Sequence, residues 1–244
     1  MSYPKFKNKH LMEALFEPSH YITYRNLPRN LPKKFIFVYQ KSAKNYILRK
    51  YKPKKTVLKN VTYYWYKDIC FVKFEGIGAP NAHVVFEELI AMGGRIFLNI
   101  GTAGGLRKWG TFLCSKALRD EGTSYHYLPH GHFTFPDKKL TIKLGKSMKK
   151  MGIDYSNGIT WTLDAPYRET KKEIKYYAKK GIDTVEMETS ALFAVAKFRK
   201  VKIASAFVIS DLLVEKWDPK FHKKEIKKQL YRLIDAAVRC LHDN

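Results

Sequence analysis

The feature that most constrains the fold is an alternation of two hydrophobic periods. Apolar runs of strand length occupy residues 35–40, 69–74, 96–100, 111–117, 184–187 and 203–210. Between them lie stretches with helical spacing. Ala82, Val85, Phe86, Leu89 and Ile90 recur at i, i+3, i+4, i+7 and i+8, the pattern of an amphipathic helix. Met187, Ala191, Ala194, Val195 and Phe198 form a second such set. Ile226, Leu230, Leu233, Ile234, Ala237, Val238 and Leu241 form a long C-terminal one. Strands alternating with helices predict an α/β layer fold, with a site where strand ends meet loops. No repeat or low-complexity linker interrupts the pattern, so residues 1–244 are expected to be one domain.

Composition narrows the function. No apolar run approaches the roughly 20 residues of a membrane span, and residues 1–6 contain no signal-peptide core. The three cysteines, Cys70, Cys114 and Cys240, are far apart and form no CxxC pair. Neither a disulfide framework nor a metal site is expected, and a reducing cytoplasm suits them. The net charge of +24 raises nucleic acid as a partner. Yet the basic residues are scattered over segments 49–59, 138–150, 171–180 and 220–228, three of them helix-like. A charge run on a helix is ordinarily a solvated face, and no zinc-finger, RNP or basic-zipper pattern occurs. Nucleic acid is therefore not the expected main target.

Two glycine-rich segments follow strand-like runs. Gly76-Ile77-Gly78-Ala79-Pro80-Asn81 leads into a helix. Glycine allows close backbone approach, proline suits a first helical turn, and a helix N-terminus offers unpaired N–H donors to an anion. Asn99-Ile100-Gly101-Thr102-Ala103-Gly104-Gly105-Leu106 reads as a tight turn with small side chains and one hydroxyl, Thr102. Neither has the spacing of a dinucleotide fingerprint or a Walker loop. Val185-Glu186-Met187-Glu188 places two carboxylates one residue apart. On an extended segment they point the same way, and a carboxylate suits a pair of neighbouring hydroxyls. Ser210-Asp211 closes the most apolar run, and an Asp at the lip of a buried strand is placed to donate a proton.

In this order, Gly76-x-Gly78-Ala79-Pro80, Gly101-Thr102-Ala103-Gly104, Arg119-Asp120-Glu121-Gly122-Thr123-Ser124, Asp164-Ala165-Pro166-Tyr167-Arg168-Glu169, Glu186-Met187-Glu188 and Ser210-Asp211 resemble the nucleoside phosphorylase-I superfamily. That group includes purine nucleoside and uridine phosphorylases and methylthioadenosine nucleosidases. The resemblance implies a three-layer α/β fold with a central mixed, partly barrel-like sheet flanked by helices, and oligomers built from dimers. It implies that Glu188 holds the ribose hydroxyls, Met187 packs on the sugar, and His10 reaches a neighbour's ribose site. Gly78 and Thr102 would contact phosphate. Tyr167, Arg168 and Ser210 would meet the base, and Asp211 would be the acid that protonates a departing purine. Inorganic phosphate would be a co-substrate, with no cofactor or metal.

The phosphate site departs from the family pattern. Where phosphorylases carry a Gly-Asp-Pro-x-Arg loop, this chain reads Gln40-Lys41-Ser42-Ala43-Lys44. Asn99 stands where an arginine usually precedes the Gly-Thr turn. Lysine is a point charge and lacks the bidentate fork of arginine. A nucleosidase, the alternative, needs a carboxylate in the first loop to activate water, and none is there. Lys41 and Lys44 are thus expected to help bind an anion, with Arg25 or Arg29 as further sources of charge. The expected reaction is phosphorolysis of a nucleoside, purine before uridine. A nucleic-acid-binding or regulatory protein on the same fold is the other alternative.

Overall fold

A computed structural model describes residues 3–58 and 61–243. In chain order the elements are α1 (Pro18–Tyr24), β1 (Lys34–Val38), α2 (Lys41–Tyr51), β2 (Lys54–Leu58), β3 (Val61–Tyr66) and β4 (Ile69–Lys73). These are followed by α3 (Ala79–Ala91), β5 (Ile96–Gly105), β6 (Thr111–Asp120), β7 (Phe133–Thr134), α4 (Lys138–Lys150) and β8 (Ser156–Leu163). The chain ends with α5 (Lys171–Lys179), β9 (Thr184–Glu186), α6 (Thr189–Phe198), β10 (Lys202–Leu213), β11 (Trp217–Pro219) and α7 (Lys224–His242).

The six strand-like runs are all strands. The structure adds β2, β3, β7, β8 and β11, whose polar or aromatic sequences lack a continuous apolar run. Strands β5, β10, β6, β8 and β9 close a mixed five-stranded barrel. Within it β5 is parallel to β10, β6 to β8 and β8 to β9, while the β10–β6 and β9–β5 pairs are antiparallel. Outside the barrel, β1 runs parallel to β5 and β4, and β3 and β2 extend the sheet antiparallel. This is the mixed α/β architecture with a barrel-like sheet and flanking helices that the motifs imply.

Three local expectations change. Residues 99–105 are not a tight turn but the last seven residues of the ten-residue β5. Their small side chains serve barrel closure: a Cβ on Gly104 would lie 2.5 Å from Leu213 Cδ1 and 2.9 Å from Val185 Cγ1, and one on Gly105 2.7 Å from Leu212 Cδ2. Residues 41–44 are not a loop but the first turn of α2. Asp211 lies inside β10 rather than at its end, because β11 pairs back on it with Asp211 opposite Pro219.

Two large apolar cores fill the layers, and a smaller third surrounds Trp161 and Ile182. One, around Leu98, Ala206, Leu233 and Ala237, packs α4 and α7 against one sheet face. The other, around Phe37, Phe86, Phe97 and Leu192, packs α3 and α6 against the other. Phe35 and Phe97 stack with centroids 5.2 Å apart. Arg119 and Glu121, both buried, belong to this framework. Arg119 Nε donates to Ser124 Oγ at 2.8 Å, and Glu121 accepts from Ser124 N–H at 2.9 Å and Ser190 Oγ at 2.7 Å. The Arg-Asp-Glu-Gly-Thr-Ser segment thereby ties the end of β6 to the start of α6.

Candidate active site

The parallel strands β1, β5 and β10 point their C-terminal ends at one cavity of about 280 Å³. Open α/β sheets place ligands at such strand ends. Gln40 and Tyr39 enter from the end of β1, and Thr102 and Gly104 from β5. Met187 and Glu188 come from the β9–α6 junction, and Ser210 and Asp211 from β10.

The β9–α6 junction separates its two carboxylates by task. Glu186 ends β9 and is buried. One of its oxygens accepts from the backbone N–H groups of Glu188 (2.9 Å) and Thr189 (2.8 Å) and from Thr189 Oγ1 (2.7 Å). The other accepts from Thr162 Oγ1 at 2.5 Å. Glu186 is therefore the cap of α6, satisfying donors that a helix N-terminus leaves open. Burial pushes its pKa up, and these donors pull it back. Glu188 holds a different position. Its Oε1 accepts the Gly78 N–H at 2.6 Å, and the residue is 8% exposed. Burial, then the charge of Glu186, pushes its pKa up to about 7.

Gly78 has φ +92°, a conformation that favours glycine. It caps α3 without a side-chain bond to the first turn. Gln40 caps α2 in the same uncapped manner. Parallel β1 and β4 thus bring two helix N-termini beside one cavity, where their dipoles and the open first-turn N–H groups of α2 favour an anion; α3 offers fewer, because Pro80 has no N–H and the Asn81 N–H donates to Gly78 O. Thr102 lies between them: its Oγ1 accepts from Gln40 Nε2 at 2.9 Å. Asn99, in the usual arginine position, is consumed internally. Its Oδ1 accepts from Tyr39 Oη at 2.7 Å, and its amide donates to Ser205 Oγ and Thr189 Oγ1.

Elsewhere on the wall, a register shift between Ile209 and Asp211 marks an irregularity in β10. A bulge of this kind re-aims side chains. Asp211 is 7% exposed. Its Oδ2 accepts from Trp217 Nε1 at 2.9 Å, and its Oδ1 from Ser210 Oγ at 2.8 Å. Glu169 also faces the cavity. Burial, then the charges of Asp211 and Glu173, lifts its pKa to about 7.

The structure brings Thr102, Met187, Glu188, Ser210 and Asp211 to one cavity, with Gly78 bonded to its edge. It does not bring Lys41, Lys44, Tyr167, Arg168 or His10 to that wall. Lys41 is exposed, and Lys44 sits near enough to Glu75 to lower its pKa. Tyr167 is fully exposed on a 3-10 turn, Pro166–Arg168, while its neighbours Pro166 and Glu169 line the cavity. Arg29 is occupied with Ser19 O and Thr23 Oγ1, and Arg25 lies over the Tyr21 ring. His10 sits on a 3-10 turn, Lys9–Leu11, in an N-terminal segment held to the 124–126 turn by a 2.8 Å bond between Tyr3 Oη and His126 Nε2.

Sequence reasoning missed Gln40, Tyr39, Glu169 and Trp217. Glu169 stood within a recognised motif but in a polar run without periodicity. Trp217 reaches Asp211 only through the β10–β11 pairing. A consequence of the complete wall is that it contains carboxylates and neutral groups but no lysine or arginine among the described residues.

The model of the phosphorylase superfamily matches residues 38–239. A purine nucleoside phosphorylase of Plasmodium falciparum is 28% identical over 172 residues, 67% of this chain and 69% of that one. A uridine phosphorylase of Treponema pallidum is 28% identical over 149 residues, 55% of this chain and 58% of its own. The crystal structure of a purine nucleoside phosphorylase from Toxoplasma gondii, in complex with immucillin-H, superposes with a TM-score of 0.73 at 17% identity, covering 93% of this chain and 95% of that one. With the family model spanning both the barrel and the cavity, this chain belongs to the phosphorylase superfamily.

Proposed function

We propose that the protein cleaves the N-glycosidic bond of a nucleoside with inorganic phosphate, releasing free base and ribose 1-phosphate. Purine nucleosides are favoured over uridine. The observation that carries this reading is the hydrogen bond from Gly78 to Glu188. It sets a carboxylate suited to sugar hydroxyls beside a helix N-terminus suited to an anion, in the cavity that also holds Asp211.

Phosphate binds at the open ends of α2 and α3 with Thr102 and Gln40, and Lys41 and Lys44 on the first turn of α2 add positive potential. The sugar lies on Met187 with its hydroxyls on Glu188. As the C–N bond stretches, positive charge grows on the sugar, and phosphate attacks the anomeric carbon. Asp211, held by Trp217 and Ser210, gives a proton to the leaving purine, next to Glu169. Positioning and electrostatics supply the catalysis.

Hydrolysis is the second reading, favoured by the missing arginines. It lacks a base: Glu186 caps α6, Glu188 serves the sugar, and Asp211 and Glu169 are neighbours on the base side. No carboxylate remains beside Gln40 and Thr102 to activate water.

His10 and the exposed Leu11, Leu15 and Phe16 suit a contact between copies of the chain, through which His10 would reach a neighbour's sugar. Tyr167 and Arg168, on the turn beside the cavity, would meet the base only once that turn folds inward over it. The three cysteines are free and buried, which agrees with work in a reducing cytoplasm. No described helix is long and apolar enough to cross a membrane.

The test is base release from inosine, guanosine, adenosine and uridine in phosphate buffer, followed by absorbance. Turnover of a purine nucleoside that Glu188→Gln cripples supports the reading. Absence of turnover on all four rejects it.

A further inference from the structure

The positive charge of this chain lies outside the catalytic cavity, and its most ordered part is at the opposite end of the sheet. There, where β1, β5 and β10 begin, two adjoining hollows of about 230 and 360 Å³ share Lys139, Lys143 and Asp243. Helix α4 supplies Lys139, Lys143, Lys146 and Lys150 to this groove. Their spacing, i, i+4, i+7 and i+11, puts them on one stripe. At 1.5 Å per residue the stripe is roughly 16 Å long. Lys34 and Lys202, at the starts of β1 and β10, extend it.

The groove keeps most of this charge. Helix α4 contains no acidic residue. Asp137 caps it by accepting from the Leu140 N–H at 2.7 Å. Asp243 is shared by Lys150 at 3.6 Å and Arg239 at 3.4 Å. Lys34 pairs with Asp68 at 2.7 Å. Lys139, Lys143, Lys146 and Lys202 have no carboxylate within ion-pair distance among the described residues. The charges thus form a line in a concave surface, not a single pocket.

We propose that this groove binds the phosphodiester backbone of a nucleic acid, independently of the catalytic cavity. A strand of B-form nucleic acid carries one phosphate per about 3.4 Å, so the stripe spans roughly five phosphates. Lysines acting as point charges fit sequence-independent backbone contact. The scattered basic segments of the sequence include one, at 138–150, that the fold turns into a site.

The test is fluorescence anisotropy with labelled 20-nucleotide single-stranded RNA and 20-base-pair DNA across a salt series, on the full chain. The wild type should bind at least one of them, with log affinity falling against log salt at a slope of about −3, as for four neutralised phosphates. The triple variant K139E/K143E/K146E should bind at least about tenfold more weakly with a slope shallower by about 2, and keep its melting temperature and nucleoside turnover. K171E/K172E/K175E on α5 makes the same change in net charge and should lose less than about threefold, because it leaves the groove intact. Equal losses in both variants would assign the binding to net charge and overturn the proposal. So would no binding at low salt, or binding only to phosphatidylserine vesicles.

Discussion

The backbone N–H of Gly78 donates to Glu188 Oε1 at 2.6 Å, so the residue that opens α3 and the residue that precedes α6 meet across 110 positions of sequence. This contact links the two halves of the proposed chemistry. Replacing Glu188 by Gln removes a charged acceptor while keeping its size. Charge-assisted hydrogen bonds are worth about 1.5–3 kcal/mol, so kcat/KM for a purine riboside should fall about 10- to 150-fold. A 2′,3′-dideoxy substrate should be affected much less, because it lacks the hydroxyls that Glu188 is proposed to bind.

The raised pKa of Glu188 makes activity and stability depend on pH in opposite directions. Binding hydroxyls as an acceptor requires the ionised carboxylate, so kcat/KM should rise with pH through about 7. Stability runs the other way. Between the ordinary glutamate pKa of 4.5 and about 7, the folded chain holds a proton that the unfolded chain has released, and stability falls as pH rises. Glu188→Gln removes that slope. Its melting temperature relative to wild type should therefore be higher at pH 8 than at pH 5, as scanning fluorimetry would show.

Asp211 is fixed by Trp217 and Ser210. In the proposed role of general acid it would contribute about 100- to 10,000-fold, so Asp211→Asn should lower kcat on inosine by that range and affect uridine less. Trp217→Phe leaves the acid in place and removes one donor. Its loss should be smaller, about tenfold. A full-rate Asp211→Asn enzyme would remove Asp211 from the mechanism.

Gly104 separates a packing role from a ligand role. A methyl there meets Leu213 and Val185 at 2.5 and 2.9 Å, and overpacking of this kind costs about 1–3 kcal/mol. Gly104→Ala should lower the unfolding free energy by that amount, read as a lower urea midpoint at unchanged m-value. An unchanged midpoint would mean that the barrel seam is looser than its geometry indicates.

The elements legible in the sequence were those with a strong period: the six apolar strands and the helices α3, α6 and α7. What escaped it came from tertiary pairing. Lys41 and Lys44 lack the apolar stripe that would have marked a helix, yet Ala43 and Ile47 anchor α2. Gly101–Gly105 read as a turn because glycine is a poor strand former, and only the neighbouring strands β9, β10 and β1 explain it. At the site, Thr102, Met187, Glu188, Ser210 and Asp211 were legible because motif order carried them. Trp217 and Gln40 were not: Trp217 reaches Asp211 through the fold-back of β11 on β10, and Gln40 reaches Thr102 across 62 positions of sequence.

In the proposed reaction phosphate, held by the α2 and α3 N-termini in place of arginines, is the acceptor. Product analysis with inosine tests it most directly, comparing reactions with phosphate against reactions in phosphate-free buffer. Ribose 1-phosphate equal to the hypoxanthine released, with turnover lost when phosphate is withheld, is the predicted result. Free ribose formed at an undiminished rate without phosphate would contradict it.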